Sequence, residues 1–255
     1  LDNVNSFLYS FCFSVLANPS MGTPFIDHYS AFFSLLGLYC FYGAIQNNNF
    51  FLWFLLPILF FLAFFSKQTP ASYIIISISL MIFFYIVVFK KIKVLIPLIV
   101  STIFCFSFLV GFLMLNEIKF SNFIVQYFLF PQTIGAERFS EYKLNFNNII
   151  LDFKFIHLFL IFLVYQIFKD LKMKTYQEKT FFIINFTLLF FSLSLIFHQI
   201  YTKNFIYIFF LIPIIGGVLH SQSIGNFKNK KFVTIFLIFF TVFSTIKYHQ
   251  RFNVE

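Results

Sequence analysis

The feature that most constrains this chain is a series of nine long apolar runs separated by short polar segments. The runs lie at roughly 5–17, 28–45, 50–65, 71–89, 94–115, 156–168, 180–198, 204–220 and 232–247. Of the 255 residues, 60% are hydrophobic and only 11% are charged, whereas soluble domains carry about 25% charged residues. A soluble fold has too little interior for this much apolar surface, so we expect a lipid bilayer to be the solvent.

The apolar runs predict helices rather than strands. Lipid offers no hydrogen-bond partner to an exposed strand edge, whereas a helix pairs its backbone groups internally. We therefore predict an all-α integral membrane protein with about nine transmembrane helices, forming one polytopic domain over residues 1–255. The chain begins at Leu1 rather than Met and stops soon after its last run, and we expect it to be a fragment truncated at both ends.

The distribution of Lys and Arg predicts the orientation of the helices. Connections 90–93, 169–179 and 221–231 hold ten of these residues, against three in the opposite set once segment 116–155 is set aside. Positive charge accumulates on cytoplasmic loops, so Asp27 is expected to face outside. In a bacterium this is the periplasmic side of the inner membrane. Segment 116–155 then lies on the outer face, where we expect short interfacial helices.

Several classes of function are excluded by the sequence. The net charge of +9 lies in loops between apolar runs, which favours contact with anionic lipids over nucleic-acid binding. Cys12, Cys40 and Cys105 all fall within apolar runs and have no metal-ligand spacing, so no metal site is predicted from them. The sequence contains no phosphate-binding glycine loop, dinucleotide fingerprint, HExxH motif or nucleophile elbow.

Three short stretches at predicted outer helix ends hold the polar residues that stand out. They are residues 24–33 with Asp27 and His28, residues 62–70 with Lys67, and residues 198–213 with Lys203 and Tyr207. A carboxylate at a helix mouth can bind a metal, orient an acceptor or accept a proton, but Asp is also a favoured N-cap. A lysine at the interface can pair with a phosphate or only anchor the helix. The residues alone leave both interpretations open.

Taken together and in order, these stretches resemble a known family. They read PFIDHYSAFF at 24–33, LAFFSKQ at 62–68, and KNFIY at 203–207 followed by LIP at 211–213. The chain is similar over roughly residues 18–217 to glycosyltransferases of the GT-C type that use polyprenyl-phosphate-linked sugars. Within that group it resembles the family 39-like branch of protein O-mannosyltransferases and aminoarabinose transferases.

The resemblance implies a lipid-linked sugar donor that enters from the outer leaflet. The acceptor would be a lipid, a glycan or a protein, and membrane lipids would surround the enzyme. Binding of the donor phosphate is assigned to Lys67, Gln68, Lys203 and Tyr207, because fixed cations stabilise the charge that a leaving phosphate gains. Arg138 joins them for its place in segment 116–155 and its suitability for bidentate phosphate contact.

The same resemblance makes Asp27 and His28 residues that line the site. They would position the acceptor, and a divalent metal at this place is left open as a cofactor. The family's catalytic carboxylate lies in the first outer loop, so we expect the principal base upstream of Leu1. Where that branch often has Gly after the lysine, this chain has Gln68.

Other classes of function remain as alternatives. The first is a multi-spanning transporter or flippase for a lipid or small solute, which would normally show polar or broken helices near the bilayer midplane. A polymerase or ligase of surface polysaccharide and a purely structural membrane protein are two more. The ionisable residues of this chain gather at the ends of the runs instead, which favours the glycosyltransferase.

The predicted orientation has a direct test. A membrane-impermeant thiol reagent added from outside should label the variant Gln68→Cys and should not label Asn229→Cys, because the two residues lie in loops of opposite sidedness. Labelling is read by mass shift on intact cells, with permeabilised cells as the control in which both positions react. Labelling of Asn229→Cys alone in intact cells would reverse the orientation.

Overall fold

The protein is all-helical wherever the structure describes it, which confirms the predicted fold class. The computed structural model describes residues 1–17, 26–133, 135, 144–171, 175–202, 207–226 and 230–253, and these ranges contain no strand. The long helices are α1 (Asn3–Ala17), α2 (Ile26–Asn47), α3 (Phe50–Ser66), α4 (Gln68–Phe89) and α5 (Leu95–Leu115). A short α6 (Phe120–Ile124) follows, and then α7 (Lys154–Asp170), α8 (Tyr176–Thr202), α9 (Leu211–Asn226) and α10 (Lys230–Asn253).

Four helical segments in the described ranges are long and apolar enough to cross a membrane. They are Gln68–Phe89, Ile92–Leu115, Tyr176–Thr202 and Lys231–Arg251. Three further apolar helices, Asn3–Ala17, Phe50–Ser66 and Ile208–Gln222, are shorter. The structure therefore supports a membrane-embedded all-α protein, while the count of nine spans stays a prediction.

The breaks between helices follow from local chemistry. Asn48 adopts a left-handed backbone with φ 50°, a conformation that Asn tolerates better than most residues and that ends a helix. The side chain of Asn49 then caps α3 by accepting a 2.9 Å hydrogen bond from the backbone N–H of Phe51. Lys90 ends α4 in the same left-handed conformation with φ 53°. These turns join α2 to α3 and α4 to α5 through very few residues.

Hydroxyl groups inside the helices are paired locally. Ser72, Thr187, Ser192 and Thr245 each donate to the carbonyl oxygen four residues earlier, at 2.6–2.8 Å. An unpaired hydroxyl in hydrocarbon is costly, and this back-bonding is the cheapest remedy that a helix offers. The polar residues within the apolar runs are thus compatible with lipid.

The helices α2 and α8 form the centre of the bundle. Two thirds of the central part of α8, 67%, is buried by other helices, against 17% for the span that contains α5. α2 packs on α3, α4 and α8, and α8 in turn packs on α4 and α7. On the far side α1, α9 and α10 pack together, and α9 also contacts α7. The helices α5 and α10 lie at the periphery and expose apolar side chains, as a lipid-facing helix should.

Aromatic residues fill the interior between these helices. Trp53, which is 1% exposed, stacks on Tyr85 with ring centroids 5.6 Å apart and meets Phe41 edge-on at 5.7 Å. Such pairs contribute about 0.5–1.5 kcal/mol beyond the burial of their area. This cluster joins α2, α3 and α4, the three helices whose ends also hold two of the three polar stretches.

Segment 116–155 contains short helices, as predicted. Beyond α6, residues Val125–Leu129 and Asn147–Leu151 each form one π-helical turn. Residues 134 and 136–143 lie outside the described part of the chain. The placement of this segment at a lipid interface remains a prediction.

Two polar residues that the sequence placed in or beside loops lie inside helices. α2 begins at Ile26, so Asp27 belongs to its first turn rather than to the preceding loop. α8 continues to Thr202, which is four residues past the predicted end of the run at 198. The side chain of His198 is therefore fixed by a regular helix, and the predicted boundaries were wrong at these two points.

Close packing of α2 on α3 depends on a glycine. A Cβ atom built on Gly37 would lie 2.5 Å from Cε1 of the buried Phe60 ring, whereas Gly111 has no atom within 4 Å of such a Cβ. We expect Gly37→Val to lower the free energy of unfolding by about 2 kcal/mol more than the matched control Gly111→Val, since overpacking a core typically costs 1–3 kcal/mol. Thermal unfolding in detergent measures the difference, and equal midpoints would contradict this packing.

Candidate functional site

The carboxylate of Asp27 is the centre of a buried polar cluster at one end of the bundle. Its Oδ1 atom accepts a 2.5 Å hydrogen bond from Nζ of Lys67 and a 2.8 Å hydrogen bond from Nε2 of His198. The three residues come from α2, from the α3–α4 connection and from α8. Lys67 is 40 positions and His198 is 171 positions from Asp27 in the chain, yet both meet it at one oxygen atom.

The backbone around Lys67 explains why its ammonium group points at Asp27. Lys67 is the single residue between α3 and α4 and is extended, with φ −159° and ψ 130°. Its N–H donates to the carbonyl of Ala63 at 3.1 Å, and its own carbonyl accepts a 3.1 Å hydrogen bond from the hydroxyl of Ser30. Ser30 lies three residues after Asp27 on the same helix. The first turn of α2 therefore holds both the backbone and the side chain of Lys67.

His198 completes the cluster and was not among the predicted site residues. Its side chain is 0% exposed and lies in the last turns of α8. The sequence did contain a signal for it, because an imidazole within a run that enters lipid needs a polar partner. What the sequence lacked was the extension of α8 to Thr202, which turns this side chain towards the first turn of α2.

Burial decides which of these groups a ligand can reach. The Lys67 side chain is 25% exposed and that of Asp27 is 10% exposed, while His198 is enclosed. Both hydrogen bonds to Asp27 end on Oδ1, and no described residue bonds to its Oδ2 atom. A substrate can thus contact Lys67 and the Oδ2 atom of Asp27.

Gln68 has a different environment from Lys67. Its Nε2 atom donates to the backbone carbonyl of Tyr127, and the Tyr127 hydroxyl donates to the carbonyl of Phe64 at 2.7 Å. Burial raises the pKa of Tyr127 to about 12, so its phenol keeps its proton and remains a donor at neutral pH. This pair of hydrogen bonds attaches the segment after α6 to the α3–α4 connection. The structure thus places Gln68 in a packing contact next to Lys67.

The remaining predicted residues do not all join the cluster. His28 is buried and directs its ring towards Phe32, with centroids 6.3 Å apart, because neighbouring helix positions point about 100° apart. Tyr207 opens a 3₁₀ turn, Tyr207–Phe210, but its side chain lies outside the described part of the chain. Arg138 and Lys203 lie outside the described residues altogether.

The described residues offer no ready metal site. They contain no group of three or more His, Cys, Asp or Glu side chains close enough to hold a metal ion. The Oδ1 atom of Asp27 accepts hydrogen bonds from Lys67 and His198 rather than contributing to a cluster of metal ligands. Within the described part of the chain, the chemistry that the cluster supports is anion binding at Lys67 and hydrogen-bond acceptance at Oδ2 of Asp27.

An apolar groove lies on another side of α3 from this cluster, whose three residues do not line it. It has a volume of about 500 Å³ and lies between α3, α4 and α5. Its walls are formed by apolar side chains that include Leu56, Phe60, Phe64, Phe65, Ile82 and Leu98. Phe64 and Phe65, which line the groove, precede Lys67 by three and two residues, so the groove extends to the last turn of α3. An apolar chain with an anionic head fits this combination.

Comparisons of the chain with protein-family models, with curated proteins and with solved structures give no match. The family resemblance therefore remains a prediction that rests on three short stretches. Two of those stretches, the ones with Asp27 and Lys67, meet in the structure.

The contact between Asp27 and His198 predicts a measurable coupling. Replacing His198 by Ala should lower the free energy of unfolding by about 2 kcal/mol, because it removes a buried donor from a charged acceptor. His198→Gln, which keeps an N–H donor at similar reach, should recover part of that loss. In an Asp27→Asn background the effect of His198→Ala should shrink. Equal effects of His198→Ala with and without Asp27→Asn, measured by thermal unfolding, would show that the two side chains are not coupled.

Proposed function

We propose that this chain belongs to a membrane glycosyltransferase that takes a sugar from a polyprenyl-phosphate donor. The acceptor is a lipid, a glycan or a protein, and transfer occurs at the outer face of the membrane. The observation that carries the proposal is the ion pair of Lys67 with Asp27, which directly follows in the chain the turn of α3 that lines an apolar groove. The resemblance of the same two stretches to lipid-phosphate glycosyltransferases supports it independently of the geometry.

Lys67 is the phosphate-binding group in this proposal. The phosphate of the donor gains negative charge as its bond to the sugar breaks, and a fixed cation stabilises that charge. Lys67 is held at the membrane boundary by its backbone contacts to Ala63 and Ser30, so it needs little reorganisation when the donor arrives. Its partial exposure lets a phosphate oxygen approach the ammonium group.

The groove holds the first part of the polyprenyl chain. The stretch of α3 from Leu56 to Phe65 lines it, and ten helical residues extend about 14 Å. This length accommodates a few isoprene units next to the phosphate, while the rest of the chain remains in the bilayer. The apolar lining matches such a chain and excludes a polar solute.

Asp27 acts beside the phosphate as an acceptor of hydrogen bonds. With Oδ1 engaged by Lys67 and His198, its Oδ2 atom is the oxygen that can bind a hydroxyl or amine of the incoming acceptor. His198 holds the carboxylate in this orientation and is a positioning residue rather than a reacting one. In the proposal the phosphate site also includes Lys203, Arg138 and Tyr207. The proposed topology has nine membrane spans with Asp27 on the outer side.

A transporter fits the described residues less well. Their buried acidic and histidine side chains are Asp27, His28, Asp170, His198 and His220. Each of them lies within about two turns of a helix end, whereas transporters place coupling groups near the midplane. The buried acidic and histidine side chains of the described chain therefore lie near helix ends rather than at helix centres.

Sugar transfer by the complete protein in native membranes tests the proposal. With a polyprenyl-phosphate sugar as donor, Lys67→Ala and Asp27→Asn should each lower the rate by about a hundredfold, the size expected when one stabilising contact to transition-state charge is lost. Lys67→Arg should retain more activity than Lys67→Ala. Lys93→Ala, which changes an exposed lysine at the opposite end of the bundle, is the matched control and should leave the rate unchanged.

The outcomes separate the competing functions. Unchanged transfer in both Lys67→Ala and Asp27→Asn would remove the cluster from the mechanism. Absence of transfer with every polyprenyl-phosphate donor, together with solute uptake into vesicles, would identify a transporter.

A further inference from the structure

A second basic corner lies at the same end of the bundle as Asp27 but on its lipid-facing side. It is formed where α7 begins and α10 reaches its last turns. Phe209 follows the C-terminal end of α8 and stacks on Tyr248 of α10 at 3.7 Å, and Phe155 of α7 meets Tyr248 edge-on at 5.6 Å. These contacts fix the start of α7 and the last turns of α10 next to the end of α8 that carries His198.

Two lysines from these separate helices converge on one aromatic ring. The Nζ atom of Lys247 lies 5.3 Å from the centroid of Phe155, and the Nζ atom of Lys154 lies 5.8 Å from it. Lys247 is also 6.0 Å from the ring centroid of Phe243. Both lysines are exposed. The ring faces attract each ammonium group, but this attraction brings two like charges together.

Neither lysine of this corner forms an ion pair with a described carboxylate. The ion pairs found among the described residues are those of Asp27, so neither Lys154 nor Lys247 has a carboxylate within 4.0 Å there. Asp152 lies two residues before Lys154 and pairs with neither lysine. Two ammonium groups near one ring repel each other, and an anion that contacts both would remove that repulsion.

The surface next to the lysines is suited to lipid rather than to water. Along α10, Phe239, Phe243 and Ile246 are 59%, 43% and 53% exposed, and they lead directly to Lys247. Exposed apolar side chains that end at basic residues are the arrangement that places acyl chains below and a phosphate group at the interface. A soluble anion would make no use of the apolar strip.

We propose that Lys154 and Lys247 bind the phosphate of an anionic phospholipid whose acyl chains lie along the exposed strip of α10. The lipid bridges the start of α7 and the end of α10 and holds the two helices together at the membrane boundary. This site is separate from the cluster around Asp27 and Lys67. It does not depend on the transfer of sugar.

Native mass spectrometry of the complete protein, with phosphatidylglycerol and phosphatidylcholine added in turn, tests the proposal. We expect wild type to retain phosphatidylglycerol preferentially. Each lysine near an anionic lipid strengthens binding about fivefold, so the double variant Lys154→Gln/Lys247→Gln should lower the preference by more than tenfold. The charge-preserving double variant Lys154→Arg/Lys247→Arg should keep it.

The control is the double variant Lys91→Gln/Lys93→Gln, which removes the same net charge at the other end of the bundle. It should leave the preference for phosphatidylglycerol as in wild type. Retention of the full preference by the Lys154→Gln/Lys247→Gln protein would overturn the proposal. An equal loss in the control variant would also overturn it, because the preference would then follow net charge rather than this site. Circular dichroism that matches wild type confirms that each variant is folded, since these side chains lie on the surface.

Discussion

The buried carboxylate of Asp27 sets the strictest condition on this structure. A charge removed from water costs several kcal/mol, and the side chain of Asp27 is only 10% exposed. The cost is offset only because Lys67 and His198 reach the same oxygen atom. That requirement fixes the ends of α2, α3 and α8 relative to one another, and it does so where helix–helix packing alone is least specific. The candidate site and the architecture of this end of the bundle therefore depend on one interaction.

The remainder of the fold follows from lipid as the solvent. Because lipid provides no hydrogen-bond partner, many hydroxyls pair within their own helix, as at Ser72 and Thr187, and the phenylalanines can face outward without cost. Apolar burial then contributes little to the choice between arrangements, since the helices meet apolar surface either way. Specificity comes from close approaches such as that of Gly37 to Phe60, and from the few polar contacts that cross between helices.

These two kinds of constraint explain what the sequence could predict. Helix positions depend on local composition, so within the described residues each predicted run contains a helix whose ends differ from the prediction by up to several residues. Asp27 and Lys67, both expected at outer helix ends, pair in the structure, while their role in a site stays a prediction. His198 was missed as a site residue because its role depends on four extra residues of α8, and run length does not reveal them. The groove between α3, α4 and α5 depends on helix angles that no local pattern encodes.

A comparison of the two buried carboxylates shows why Asp27, and not Asp170, marks the site. Asp170 accepts hydrogen bonds from the neutral amides of Gln166, at 3.1 Å, and Asn185, at 3.0 Å. These partners occupy one oxygen each, the first within α7 and the second across to α8, so both oxygens of Asp170 are used in structural contacts. Asp27 instead gathers two donors, one of them a lysine, on a single oxygen and keeps the other oxygen available. An anionic ligand at Lys67 would compete with Asp27 for the ammonium group. The carboxylate would then stay oriented by His198, so ligand binding and acceptor positioning can change together at this pair.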